Sequence, residues 1–401
     1  MIKRNSYLEQ LDKQKNIPLI KVLTGIRKCG KSTILNMFMD QFNGNDNVIY
    51  IDFNNLTYSS KIKNYLELNS YIEKRIKNNK KNFIIIDEVQ EIDNFQKTIN
   101  SLSLKRNNDI YITGSNSKLL SSEMSTLITG KNVKINIWPL SFKEFYSWCI
   151  DGLKINDLNE IYNNYFKYGG MPGRLLYKLD AQTEITQYLK MIYSDIIQHD
   201  ILQRHDIKDV NELTNIFLYV ISNIGEEFSV VNIKNYLKTH NHSNISEATI
   251  SNYLSYLEET YLIRKVHKYD VVGKNILNNQ YKYYAVDIGF RNANINSVTL
   301  NTGKMLENIV YNDLICKGYD VYIGKNRYIP EIDFVAKKNS ETIYFQVCEH
   351  LTDDNRQREE GNLLKINDSF KKYIVSYDKF NSVEPNSGIE YINIVDWLLK
   401  N

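Results

Sequence analysis

The run Gly25-Ile26-Arg27-Lys28-Cys29-Gly30-Lys31-Ser32, followed by Thr33, has the spacing G-x-x-x-x-G-K-[ST]. The chemistry of that spacing is anion binding. Its two glycines let the backbone fold tightly around a phosphate. Successive N–H groups then turn inward, and a following helix adds the positive end of its dipole. Lys31 would bring a full charge to the β- and γ-phosphates, and the Ser32 hydroxyl would be a ligand of Mg²⁺. The expected ligand is ATP or another nucleoside triphosphate, cradled by Gly25 to Thr33. Cys29 lies inside the loop, at a position whose side chain points away from phosphate, so a packing role is expected for it.

Two further segments supply groups that such a ligand needs. Phe83-Ile84-Ile85-Ile86-Asp87-Glu88 is an apolar run that delivers two carboxylates at its end, where ligands bind in open parallel sheets. Asp87 would hold Mg²⁺ through water, and Glu88 would orient and polarise the attacking water. Ile112-Thr113-Gly114-Ser115-Asn116 places Thr113, Ser115 and Asn116 where the γ-phosphate or lytic water would lie. Ser115 joins Lys31, Asp87 and Glu88 as a catalytic candidate, while a plain turn with a helix cap would also explain this segment.

These groups need a sheet to hold them. Residues 18–24, 47–53, 82–86, 109–113 and 133–138 read as strands, with helical stretches at 33–42 and 66–77 between them. Continuous apolar runs such as 82–86 suit a parallel sheet covered on both faces. The alternation argues an α/β class with a phosphate-loop domain over residues 1–140. After Pro139 the pattern changes. Residues 141–222 read as a helical lid, broken at Tyr168-Gly169-Gly170-Met171-Pro172-Gly173. Residues 223–300 read as a winged helix, and residues 301–401 return to α/β, with a helix at 304–316, strands at 319–323, 331–337, 342–348 and 373–377, and a helix at 356–370.

Composition bounds the partners. In 401 residues, 50 Lys and Arg against 47 Asp and Glu give a net charge of +3, too little for a chain-wide grip on a polyanion, so any nucleic-acid site must be a local patch. The four cysteines, Cys29, Cys149, Cys316 and Cys348, form no Cys-x-x-Cys pair, which argues against a zinc or disulfide framework and suits a reducing cytoplasm. No apolar stretch approaches the roughly 20 residues of a membrane helix. No membrane partner is therefore expected, while an oligomer stays open.

The run Lys21 to Thr33, Ile86 to Ile92, Thr113-Gly114-Ser115-Asn116, Trp138-Pro139-Leu140-Ser141-Phe142-Lys143-Glu144-Phe145 and Tyr168-Gly169-Gly170-Met171-Pro172 together resemble the prokaryotic AAA-type proteins long called archaeal-type ATPases. Tyr283-Tyr284-Ala285-Val286-Asp287-Ile288-Gly289-Phe290-Arg291 and Gly303-Lys304-Met305-Leu306-Glu307-Asn308 look like the second half of that family. The resemblance implies an ATPase module, a helical lid, a winged helix and a C-terminal domain of restriction-endonuclease type. Related proteins often carry Gly-Arg where this chain has Gly130-Lys131, and lysine lacks the bidentate fork of an arginine finger. Arg174 is the candidate substitute.

For the second half, double-stranded DNA and a protein are the partners considered. Ser246 would cap a helix with the apolar stripe Ile250, Tyr253, Leu254, Leu257 and Tyr261. Thr249, Ser251, Asn252, Ser255 and Tyr256 fall outside the stripe, where short polar groups would face a major groove, and Lys265, His267, Lys268 and Lys274 on the hairpin would meet phosphates. Glu307, Glu331 and Asp333 supply acids where a nuclease of this fold holds Mg²⁺, yet Gln346 and Cys348 stand where a further acid and a lysine are needed. A degenerate domain is therefore expected. Three readings follow: an ATPase switch acting on DNA or a partner, an ATP-dependent nuclease of a defence or mobile-element system, and a nucleotide-binding interaction protein with negligible turnover.

Overall fold

In the computed structural model, residues 2–42, 44, 46–117, 130–295, 301–329, 331–379 and 388–400 are described. They divide into two units, Met1–Trp138 with Glu259–Tyr261, and Pro139–Glu258 with Leu262–Asn401.

The first unit is built on five parallel strands, β1 (Ile20–Thr24), β2 (Asn47–Asp52), β3 (Asn82–Asp87), β4 (Asn108–Gly114) and β5 (Asn132–Asn136), in the order β2-β3-β4-β1-β5. Every residue of β1, β3 and β4 is buried, as expected for strands covered on both faces. Helices α1 (Asn5–Gln14), α2 (Lys31–Met39), α3 (Tyr65–Glu73) and α4 (Phe95–Ser103) accompany the sheet. Helix α2 begins at Lys31, two residues before the expected start, because Gly30 adopts φ 100 and turns the loop directly into the helix. Helix α1 has no counterpart in the expectations above.

Four of the five strands start with asparagine, and three of these are neighbours in the sheet. Asn47, Asn82 and Asn108 lie opposite one another in register, and their side chains bond along the row, Asn47 Nδ2 to Asn82 Oδ1 at 2.7 Å and Asn82 Nδ2 to Asn108 Oδ1 at 3.3 Å. The row ties the N-terminal edge of the sheet. Beside it, the buried Lys21 and Asp109 pair at 2.5 Å joins β1 to β4. The register that brings the strand C-termini together is thus fixed from the opposite end.

The second unit opens with helices α5 (Phe142–Trp148), α6 (Leu158–Tyr168), α7 (Gln182–Asp195) and α8 (Val210–Ser222). Next come α9 (Val230–Asn241), α10 (Glu247–Glu259) and the antiparallel hairpin β6 (Ile263–Asp270) and β7 (Asn275–Ala285). Helices α11 (Ile288–Asn294) and α12 (Thr302–Cys316) lead to strands β8 (Asp320–Lys325), β9 (Ile332–Lys338), β10 (Glu341–Val347), β11 (Lys371–Ser376) and β12 (Ile389–Asn393), with α13 (Asp353–Leu364) before β11 and α14 (Ile394–Leu399) at the end.

The hairpin does not stand apart. It joins the C-terminal strands in one seven-stranded sheet of order β12-β11-β10-β9-β8-β6-β7, through a parallel pairing of Lys268–Asp270 with Ile323–Lys325. The boundary expected at residue 300 lies outside the described residues, but strands on either side of it share this sheet. The helix expected at 356–370 ends at Leu364, because the chain must turn through Asn367-Asp368-Ser369 to enter β11. Strand β12 and helix α14 were not anticipated.

Candidate functional site

The loop Gly25 to Gly30 leaves the C-terminal end of β1 and runs straight into α2. Gly25 is required by space, since a Cβ there would lie 2.1 Å from the carbonyl oxygen of Ile137. Ile26 and Cys29 turn inward and are fully buried, while Lys28 is exposed and Arg27 half-buried. Burial pushes the Cys29 thiol up from its ordinary range, in line with the packing role expected for it. Ser32 and Thr33, half-buried, start the first turn of α2.

Lys31 is buried with its Nζ donating to the carbonyls of Gly25 at 3.1 Å and Ile26 at 3.3 Å. The same ammonium lies 3.7 Å from Glu88 Oε1. Strand β3 delivers Asp87, fully buried, and the chain then turns at Glu88, which holds the left-handed conformation φ 53, ψ 51. A non-glycine residue in this conformation is uncommon, and such strain gathers at functional sites. It is held by the end of the neighbouring strand, because Thr113 Oγ1 accepts the Glu88 N–H at 2.9 Å and donates to Asp87 Oδ1. Of the three polar candidates at the end of β4, Thr113 makes these contacts. Ser115 and Asn116 are buried just beyond the strand.

Burial raises the Asp87 carboxyl above its ordinary range, and the Ser32 and Thr113 hydroxyls favour its charged form. Its Oδ2 is buried and accepts no hydrogen bond. A buried carboxylate oxygen without a donor, on a carboxylate that also interacts with Ser32 at the start of α2, fits a divalent cation, which keeps several waters and takes only one or two protein ligands. Asp87 and Ser32 are the residues that would hold it.

Sequence reasoning missed two residues under the loop. Arg4, buried just before α1, donates from one guanidinium nitrogen to the carbonyls of Cys29 at 3.2 Å and Trp138 at 2.8 Å, and it lies over the Tyr7 ring. The Tyr7 hydroxyl accepts the Trp138 N–H at 3.2 Å. Only their place at the start of an unremarked N-terminal helix could have pointed to them. Arg4→Ala should weaken nucleotide binding by roughly tenfold, since charge-assisted hydrogen bonds contribute about 1.5–3 kcal/mol. Titration with a fluorescent ATP analogue measures it, and Tyr7→Phe should have a smaller effect.

The arginine-finger candidate does not fit that role in this conformation. Arg174 is buried, with its guanidinium donating to the Gly169 carbonyl and Asn164 Oδ1 and lying 4.4 Å from the centre of the Phe145 ring. It packs Tyr168-Gly169-Gly170-Met171-Pro172 instead of presenting a free charge. Lys131 is exposed just before β5.

In the second unit, Ser246 caps α10 through the Thr249 N–H at 3.1 Å, and Ile250, Tyr253, Leu254 and Leu257 of the expected stripe are buried; Tyr261, the last of the stripe, is buried and belongs to the first unit. Ser251, Asn252 and Ser255 are exposed, and Thr249 and Tyr256 half-buried. The hairpin cations divide. Lys274 is exposed, Lys265 pairs with Glu258 at 3.5 Å, and His267 is half-buried. Lys268 is buried between Glu227 and Glu331, so it cannot reach a phosphate, because β6 is an interior strand of the sheet.

Glu307, Glu331 and Asp333 do converge, but lysines come with them. Lys304 pairs with Glu307 at 2.6 Å, and Lys282 and Lys268 pair with Glu331. Gly225 closes over the group so tightly that a Cβ would lie 2.9 Å from Glu307 Oε2. Lys268 is shared with Glu227, and Asp333 is enclosed and accepts the Val347 N–H at 2.7 Å, so an acid cluster already occupied by three ammonium groups and a backbone donor does not fit a hydrolytic metal centre. Arg356 with Glu360 and Arg358 with Glu359, both at 2.5 Å, form ion pairs on α13, after β10. Among the described residues no cluster of three or more His, Cys, Asp or Glu is arranged to hold a metal, and no helix is long and apolar enough to cross a membrane.

Comparison with known proteins agrees with the loop domain. Residues 18–146 match the family model described as an AAA domain, and residues 159–300 match a domain of unknown function. An uncharacterized protein of Haemophilus influenzae is 36% identical over 405 residues, covering 100% of this chain and 99% of its own length. An uncharacterized protein of Methanocaldococcus jannaschii is 33% identical over 353 residues, covering 85% of this chain and 77% of its own. A Walker-type ATPase of Pyrococcus abyssi shares the fold with a TM-score of 0.54 at 16% identity, over 73% of this chain and 95% of that one. The chain belongs to the family of these two relatives, AAA-type P-loop proteins in which the AAA domain is followed by a domain of unknown function.

Proposed function

We propose that this protein is a Mg²⁺-dependent ATPase whose nucleotide state controls the grip of its second half on double-stranded DNA. The observation that carries the reading is the meeting of Lys31, Asp87, Glu88 and Thr113 at the C-terminal ends of β1, β3 and β4, next to the start of α2. Backbone N–H groups of Gly25 to Thr33 bind the phosphates, and Lys31 leaves the loop carbonyls and Glu88 to pair with the β- and γ-phosphates. Mg²⁺, held by Ser32 and Asp87, would neutralise charge on the phosphate oxygens. Glu88 takes the proton of the attacking water as its oxygen bonds to the γ-phosphorus and the bond to the bridging oxygen breaks.

A ligand that pairs with Lys31 changes the partner of Glu88, and that differential contact is what a nucleotide switch requires. The winged-helix reading of α9, α10 and the β6–β7 hairpin rests on the exposed Ser251, Asn252 and Ser255 and on Lys274 at the hairpin turn. The division into loop domain, lid, winged helix and endonuclease-like domain is part of the same proposal, with the last of these a structural element instead of a nuclease.

Steady-state ATP hydrolysis with and without duplex DNA, for the wild type and Lys31→Ala, tests the reading. Lys31→Ala should remove measurable binding and turnover, and DNA should change the wild-type rate. Turnover indifferent to Lys31→Ala overturns the site. Divalent-metal-dependent cleavage of the DNA, lost in Asp333→Ala, would establish the nuclease alternative.

A further inference from the structure

Gln90 lies two residues beyond Glu88, in the 3-10 turn Val89–Glu91 that follows the left-handed residue. Its Nε2 donates to Glu88 Oε2. A carboxylate can only accept, so the amide must present nitrogen to it, and the orientation of the amide is fixed by chemistry. Gln90 Oε1 is then committed to the other side. It is buried, and it accepts no hydrogen bond. Native interiors seldom leave such an acceptor empty, and a catalytic role or a bound water is among the explanations where they do.

On this geometry, and resting on the hydrolase reading above, we propose that Gln90 positions the hydrolytic water together with Glu88. Lys31 holds Glu88 Oε1 at 3.7 Å, and Gln90 holds Oε2, so both oxygens of the base are constrained. When nucleotide draws Lys31 away, Oε1 is released to take one proton of the water, and Gln90 Oε1 accepts a hydrogen bond from the second O–H. The oxygen lone pair is then directed at the γ-phosphorus. The P–O bond to water forms, the bond from the γ-phosphorus to the β–γ bridging oxygen breaks with its electron pair leaving on ADP, and the proton resides on Glu88. Gln90 neither gains nor loses a proton. The inference adds a specific orienting group to the acid pair Asp87 and Glu88, supplied by the same turn.

The test compares ATP turnover and nucleotide affinity in the full chain for wild type, Gln90→Ala, Gln90→Met and Gln90→Glu. In Gln90→Ala and Gln90→Met, kcat should fall by about 10- to 100-fold with nucleotide affinity held within about twofold, the cost of misplacing a reacting group by about an ångström. Gln90→Met keeps length and packing, so a loss shared by both variants belongs to the amide and not to folding. In Gln90→Glu, whose carboxylate cannot donate to Glu88, kcat should also fall. A merely structural residue would lower nucleotide affinity and stability along with kcat. Wild-type kcat in Gln90→Met or in Gln90→Glu overturns the inference while the hydrolase reading stands. Wild-type turnover that is absent, or indifferent to Lys31→Ala, overturns both.

Discussion

Glu88→Gln is expected to lower kcat for ATP by at least about 100-fold, the span assigned to a positioned general base, while nucleotide still binds. Glutamine keeps the length of the side chain and accepts a hydrogen bond, but it cannot take the proton of water. Binding should be retained or strengthened. The variant frees Lys31 from the carboxylate 3.7 Å away, and it removes a negative charge from the neighbourhood of the γ-phosphate. A steady-state assay with parallel titration of a fluorescent ATP analogue separates the two effects. A fall in affinity matching the fall in turnover would mean that Glu88 supports the loop and does not act on water. The left-handed backbone at Glu88, with φ 53, is independent of its side chain, so the substitution leaves the strand-to-turn geometry intact.

The second large effect is on stability, and it concerns Asp287. Its carboxylate is fully enclosed in the second unit. Oδ2 accepts the Gly170 N–H at 2.6 Å, and Oδ1 accepts the Gly289 N–H at 2.7 Å as the cap of α11. A Cβ on Gly169 would fall 1.6 Å from Oδ1, so the Gly-Gly turn is shaped to this carboxylate. Arg174 faces it electrostatically. Asp287→Ala removes the cap and orphans two buried N–H groups, and it leaves a buried guanidinium without its counter-charge. A loss of about 3–5 kcal/mol is expected, the range for deleting one partner of a buried charged pair. Thermal melting of the full chain, with hydrogen exchange read at residues 168–174, measures it, and an unchanged melting temperature would refute the clasp.

The same carboxylate gives a pH signature. Burial raises Asp287 to about 6, only partly offset by the two N–H groups and Arg174. A carboxyl whose folded pKa lies above its unfolded value binds its proton more tightly when folded. Its contribution is therefore fully present below the unfolded pKa and is lost as pH rises through about 6. Wild type should lose stability relative to Asp287→Asn across that window as pH increases, and a pH-independent difference between them would count against the shift.

Much of the proposed nucleotide site was legible in the chain. The glycine spacing, the strand ending in Asp87-Glu88 and the polar end of the next strand each carry local chemistry, and parallel strands bring their C-terminal ends to one edge. Local sequence could not say which of Thr113, Ser115 and Asn116 turns toward Asp87, because that depends on the register of β4 against β3. Arg4 escaped for a related reason. It lies 134 residues from Trp138, and nothing in its own neighbourhood reveals that separation closing. Lys268 was misread as a phosphate contact because a hairpin strand with alternating polar residues looks like a solvent-facing wing until another strand pairs with it.

Gly-Gly-Met-Pro and Val-Asp-Ile-Gly are as conspicuous as the phosphate loop, and a reading by motif gives no ground for ranking them differently. Packing separates them. Asp287 has both oxygens satisfied by backbone N–H groups and is enclosed, whereas Asp87 Oδ2 and Gln90 Oε1 are enclosed with nothing to satisfy them. What the sequence determined by itself was the set of groups proposed to bind triphosphate, because a phosphate loop is made by consecutive residues whose backbone conformation is local. What only the tertiary structure decided was which polar groups are left unsatisfied near that loop and which are consumed in holding the fold. That division depends on partners far apart in the chain, and burial sets its energetic weight.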